Sequence, residues 1–104
     1  CRMKVYWTDE ATRRLRELTA YIAKDSPQAA KQVAAGLLKR SRSLAAPPLL
    51  GRKVPEYPDS VLREVLERPY RLIYQVTDRG IEIVTVMHYR QLLPEDPKQL
   101  LASN

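Results

Sequence analysis

The hydrophobic pattern is clearest between Leu62 and Arg90, LREVLERPYRLIYQVTDRGIEIVTVMHYR, where three runs rich in Val, Ile, Leu and Tyr are broken by Glu67, Arg68 and Pro69 and then by Asp78, Arg79 and Gly80. Runs of this composition bounded by turn residues predict strands, and breaks this short predict an antiparallel meander. Side chains alternate with period two along a strand. Leu72, Tyr74 and Val76 therefore fall on one face of the middle run, and Arg71, Ile73 and Gln75 on the other. In the last run a regular strand places Glu82, Val84, Val86 and His88 on one face and Ile81, Ile83, Thr85 and Met87 on the other. Both faces are partly apolar, which predicts a buried core on one side and a shallow working surface on the other.

The pattern before residue 47 has a different period. Lys4 to Trp7 reads as a short strand, ended by the helix-capping residues Thr8 and Asp9. From Asp9 to Lys24 the apolar residues Ala11, Leu15, Leu18 and Ile22 recur at helical spacing. Asp25, Ser26 and Pro27 break this helix and begin another, with Ser26 as N-cap and Pro27 as first helical residue. The second stripe is Ala30, Val33, Ala34, Leu37, Leu38 and Leu44, so the two helices form a hairpin able to cover one sheet face. Pro47, Pro48, Gly51 and Pro55 predict a loop of roughly fifteen residues without regular structure, a length often associated with function. Pro94 and Pro97 allow at most a short turn after Arg90. The fold class expected is α+β: an N-terminal strand, then a two-helix hairpin packed on a small antiparallel sheet.

Length and composition narrow the possibilities. At 104 residues the chain is expected to be one domain, and 44% hydrophobic residues suit a globular core. No apolar run reaches the ~20 residues that span a bilayer, and no leader pattern precedes the first strand, so no membrane association and a cytoplasmic location are expected. Met3 reads as a natural start, which makes Cys1 and Arg2 extraneous on this reading. One histidine and a single cysteine offer no metal-ligand set, and neither metal nor cofactor is expected. The formal charge of +6 predicts attraction to RNA, DNA or an acidic protein. Residues 1 to 46 carry ten basic and four acidic side chains, whereas the remainder carries eight of each. The excess lies on the helix hairpin, where a merely solvated face is the other reading of Arg13, Arg14, Arg16, Lys39, Arg40 and Arg42.

Five segments, YIAKDSPQAA, GRKVPE, LREV, PYRLIYQV and VMHYR, occur in an order and spacing that resembles the RelE/ParE toxin superfamily of bacterial toxin-antitoxin modules, across nearly the whole chain. The resemblance implies a growth-arresting toxin with a cognate antitoxin whose binding segment is amphipathic and acidic. Its target would be messenger RNA on the ribosome for a RelE-like enzyme, or DNA gyrase for a ParE-like poison without catalytic activity. The helix link and the VPE and LRE patterns look like the ParE side. Glu56, Arg71, His88 and Tyr89 match, residue by residue, the base, phosphate-binding arginine and acid pair of YoeB-like nucleases. The lysine cluster of the RelE branch proper is missing. Arg63, Arg90, Arg13 and Arg14 would contact RNA or another target.

Metal-free RNA cleavage requires a base for the 2′-OH, a cation for the charge on phosphorus and an acid for the leaving oxygen. Glu56, Arg71 and His88 could fill these roles, with Arg71 and His88 on one face if strand register lines them up. Because all three are present, a metal-independent endoribonuclease is the reading favoured over a ParE-like gyrase poison, a fragment whose ancestral activity is lost being the third. Tyr89 would point to the other face of a regular strand. A structural reading stands beside each role. A histidine at the end of an apolar strand is commonly scaffold, Glu56 beside Pro55 suits a loop clamp, and Arg63 beside Glu64 suits an ion pair. An inward-facing Arg71 needs a carboxylate or a phosphate to offset its desolvation.

Overall fold

The computed structural model describes residues 4–45, 51–57, 59–67 and 69–88. Five strands form one sheet in the order β1-β5-β4-β3-β2, with β1 at Val5–Trp7, β2 at Arg52–Lys53, β3 at Arg63–Glu67, β4 at Tyr70–Thr77 and β5 at Gly80–His88. Helices α1 (Asp9–Ala23) and α2 (Pro27–Arg42) make the hairpin between β1 and β2, and a single 3-10 turn, Ser43–Ala45, follows α2. The α+β architecture is as expected, with one addition. The sheet is mixed, because β1 runs parallel to β5 while β2 to β5 are antiparallel. Among the described residues no helix is long and apolar enough to cross a membrane.

Local chemistry explains the helix starts. Thr8 caps α1 through its Oγ1, which accepts the Ala11 N–H at 3.1 Å, and Ser26 caps α2 by accepting the Ala29 N–H at 3.1 Å. Pro27 occupies the first turn of α2, where its missing N–H has no helical partner to lose. The stripe of α2 is narrower than expected. Leu37 is fully buried, whereas Leu38 is 36% exposed because it lies about 100° further round the helix. Leu44 is buried from the 3-10 turn rather than from the helix.

The meander is interrupted by a β-bulge. Ile73 pairs with Thr85 and Tyr74 with Ile83, so Val84 is an extra residue in β5. Thr8 meets the buried carbonyls at the bulge, its hydroxyl proton shared between the oxygens of Ile83 and Val84 at 3.1 and 3.2 Å. One residue thus caps a helix and closes a gap in the sheet. The bulge also corrects the alternation expected of the last strand. Ile81 and Ile83 lie with Val86 on the helix-covered face, whereas Val84 and Met87 lie on the other.

Beneath the helices Ala11, Leu37, Leu44, Val65, Leu72, Tyr74, Ile81, Ile83 and Val86 form the main core. The opposite face is only partly open. Val54, Tyr57, Leu62, Ile73 and Val84 make a second, smaller core, with Met87 packed at its margin. The described part of the chain between the helices and the meander, residues 51–57 and 59–62, supplies its cover and is therefore more ordered than its proline and glycine content predicts. It contains β2, and its backbone bonds include Val54 N–H to the Leu62 carbonyl at 3.3 Å and Tyr57 N–H to the Val54 carbonyl at 3.0 Å. Gly51 makes the close approach possible: its N–H donates to the Tyr74 hydroxyl at 2.9 Å, and a Cβ there would stand 2.3 Å from the Glu64 carbonyl oxygen.

Candidate functional site

Arg71 projects from β4 on the same side as Ile73, into the edge of the second core. Glu64 on β3 pairs with Ile73, which makes it a diagonal neighbour of Arg71 on that face. The Glu64 carboxylate is fully buried and accepts from Arg71 Nε at 2.8 Å and also from Nη2. Glu56, on the turn that follows Val54, completes the arrangement with a bidentate pair, Nη1 to Oε2 at 2.9 Å and Nη2 to Oε1 at 3.0 Å. The other oxygen of Glu64 accepts from Arg52 Nε of β2 at 2.7 Å. Four charges alternate in sign across the open face: Arg52, Glu64, Arg71, Glu56.

The electrostatics follow from this geometry. The Arg71 guanidinium holds the Glu56 carboxyl below its ordinary value, against the opposing effect of partial burial. Glu56 in turn raises Arg71 above the usual arginine value, so Arg71 stays charged at any physiological pH. A carboxylate made less basic than usual is a poorer proton acceptor. Arg71, 7% exposed, already has its desolvation offset by two carboxylates.

Beside these charges runs a groove of about 680 Å³ lined by Arg52, Pro55, Glu56, Leu66, Pro69, Tyr70 and Arg71. A second cavity of about 360 Å³ lies on the other side of the sheet, between α1 and the end of β5, and is lined in part by Leu18, Tyr21, Ile22, Met87 and His88. His88 belongs to this second environment. It pairs with Tyr70 across β4 and β5, and the two rings meet edge to face with centroids 5.9 Å apart at 89°. The turn after Val54 brings Glu56 to Arg71, whereas strand register puts His88 on the opposite face, so the alignment that would place Arg71 and His88 together is not the one observed. Tyr89 and Arg90 lie outside the described residues.

Of the other basic candidates, Arg63, Arg13 and Arg14 are engaged within the protein. Arg63 donates to the Gly51 carbonyl at 2.8 Å, fastening the loop start to β3. Arg13 pairs with Glu10 and, at 2.8 Å, with Glu17, and Arg14 pairs with Glu10 at 3.1 Å. Arg52 escapes sequence reasoning, and Glu64, expected to pair with its neighbour Arg63, pairs instead with Arg71 and Arg52, because Arg63 and Glu64 point to opposite faces of β3. A charged residue at an alternating position of an apolar strand was the available signal for Glu64, but its partner depends on register. Among the described residues no group of three or more His, Cys, Asp or Glu side chains could hold a metal ion.

Two helices packed on a small mixed sheet, with an ion-pair cluster on the open face, define this protein as an α+β fold with a charged surface site. Residues 5–93 match the family model for the ParE toxin of the type II toxin-antitoxin system, parDE, and the chain belongs to that family, within the RelE/ParE superfamily. It is 38% identical over 96 residues to a protein of Sinorhizobium fredii named "Putative toxin Y4kP", covering 90% of this chain and 96% of that one. The fold is similar to a solved structure of the chromosomal ParDE system from P. aeruginosa, with a TM-score of 0.69 at 21% identity over 83% of this chain and 95% of the other. It is also similar to one in the toxin-antitoxin complex RelBE2 from Mycobacterium tuberculosis, with a TM-score of 0.61 at 21% identity over 91% of this chain and 94% of the other.

Proposed function

We propose that this toxin arrests growth by binding its target rather than by cutting RNA, as a ParE-like poison of DNA gyrase in the cytoplasm, and that a cognate antitoxin with an acidic, amphipathic segment silences it. The observation that carries this reading is the placement of the three residues a metal-free nuclease needs. Arg71 is neutralised by Glu56 and Glu64, and His88 extends from the other side of the sheet. A base, a cation and an acid must converge on one phosphate within hydrogen-bonding reach. The sheet that lies between cation and acid supports binding over cleavage. The depressed basicity of Glu56 points the same way.

Membership of the ParE toxin family supports the choice of gyrase over the ribosome. The charge of +6 suits a partner of opposite sign, and the toxin-antitoxin assemblies solved for proteins of this fold make such a partner the natural expectation. The test is to induce the toxin alone in a bacterial host and to assay purified toxin with gyrase and plasmid DNA. Trapped double-strand breaks and filamentation, without new mRNA ends on ribosomes, are the result expected. Ribosome-dependent mRNA cleavage with intact gyrase activity would overturn the proposal.

A further inference from the structure

The four-charge cluster is divided between a fixed part and an exchangeable part. Glu64, with a fully buried side chain, gives one oxygen to Arg52 and the other to Arg71, and so holds two guanidinium groups side by side at the groove. Two cations on one carboxylate leave a single positive charge over. Glu56 supplies the balancing charge, but from a different kind of position. Its side chain is 43% exposed, and its loop is anchored by the buried side chains of its neighbours Val54 and Tyr57. Glu56 can rotate away into water without the loop leaving the sheet, and Arg71 would still be paired with Glu64.

We propose that the Arg52 and Arg71 pair is a subsite for an acidic side chain of the neutralising partner, and that Glu56 occupies this subsite in the unbound toxin and is displaced when the partner docks. The inference deepens the function proposed above and rests on its toxin-antitoxin reading. The present occupant displays the chemistry of the site: a carboxylate bound through both oxygens by an arginine fork. The exchange replaces one carboxylate by another, so the ionic part is nearly balanced. The net gain comes from the apolar walls. Leu66, 39% exposed, with Pro55, Pro69 and Tyr70, offers surface to an aliphatic residue next to the partner's Asp or Glu. The net positive charge of the toxin, carried by the helix hairpin, attracts an acidic segment to the molecule as a whole, and the arginine fork supplies the local recognition.

An internal competitor weakens binding in inverse proportion to the fraction of time it is absent, because the apparent Kd is the intrinsic Kd divided by the competent fraction. If Glu56 covers Arg71 for about nine-tenths of the time, Glu56→Gln tightens partner binding about tenfold. Two measurements test this. The guanidinium Nε–Hε NMR signals of Arg52 and Arg71 are followed while sodium acetate, and separately inorganic phosphate, is titrated at constant ionic strength. Acetate should shift both signals saturably in Glu56→Gln and leave wild type unaffected at the same concentrations. No shift in the variant, an equal shift in wild type, or a response to phosphate alone overturns the subsite.

The second measurement is the Kd of the protein encoded beside the toxin gene, for wild type and Glu56→Gln. Tightening of about tenfold is expected. Unchanged or weaker binding of the variant overturns displacement by the partner. Failure of that protein to bind even wild-type toxin rejects the toxin-antitoxin reading and with it the choice of partner, whereas the acetate titration still decides whether the subsite exists. Should Glu56→Gln fold poorly, Glu56→Asp, whose shorter reach weakens the bidentate pair, should change binding in the same direction.

Discussion

Arg71 faces Met87 across β4 and β5, while His88, the next residue along β5, faces Tyr70, so the only histidine and the most deeply paired arginine extend from opposite sides of one sheet. This relationship separates the two functional readings, since a binding toxin does not need the two side chains together and a metal-free nuclease does.

His88→Gln should leave growth arrest at wild-type strength. The variant keeps much of the ring's bulk and hydrogen bonding but cannot carry its proton. Loss of about 100-fold or more in toxicity, the scale on which a positioned acid or base matters, would restore a catalytic role. Dose-dependent induction, with soluble toxin quantified in each strain, makes the measurement.

Arg71→Ala should destabilise strongly, by roughly 3–5 kcal/mol, because Glu64 remains buried with one partner removed. Glu56→Gln removes a pair whose carboxylate is 43% exposed, and solvent screening limits its cost to about 0–1 kcal/mol. Urea melts of both proteins test the order. Equal losses would mean that Glu56 is as integral to the cluster as Glu64.

Leu37→Ala should cost about 2–5 kcal/mol through the cavity it leaves in the main core. Leu18, only partly buried at the margin of that core, should cost less, and Leu38→Ala should stay within about 0.5 kcal/mol. The same melts show whether α2 presents the face described.

Acid should weaken the fold through Glu56 and Glu10, both held below the ordinary carboxylate value of 4.5. For Glu10, burial opposes ionisation, but hydrogen bonds from Arg13 and Arg14 outweigh it. A carboxyl whose folded value is depressed binds fewer protons in the folded chain than in the unfolded one. Its contribution is therefore complete above about 4.5 and disappears as pH falls through the lower, folded value. Glu10→Gln and Glu56→Gln should each flatten the acid limb of stability against pH and leave the neutral limb parallel to wild type. A slope between pH 6 and 8 altered by either change would contradict this assignment.

Gly51→Ala should cost about 1–3 kcal/mol, since the added methyl meets the backbone oxygen of Glu64 and the Tyr74 hydroxyl rather than a movable side-chain end. A neutral outcome by thermal melting would show that the start of the loop relaxes without loss.

Much of the fold was legible because its signals are local. Thr8 and Ser26 cap the helices expected of them, Pro27 opens α2, and the breaks around Pro69 and Gly80 separate three strands. Leu72, Tyr74 and the buried part of the α2 stripe lie in the core as their periods imply. The loop was harder to read. Its order comes from contacts with side chains far along the chain, such as Tyr74 and Arg63 on Gly51, rather than from its own propensity.

The sequence alone determined the two helices, the strands β1, β3, β4 and β5 but not β2, the capping residues, the two-sided apolar character of the meander and, through five ordered motifs, the toxin superfamily. Tertiary structure decided where each functional side chain points and which charge it meets. Alternation is a property of one strand, but the face a residue occupies relative to another strand depends on register, and one inserted residue, Val84, shifts the phase of everything beyond it. The partners of Arg71 come from different elements, Glu56 and Glu64, fifteen and seven positions away, and only folding brings three such side chains within hydrogen-bonding distance.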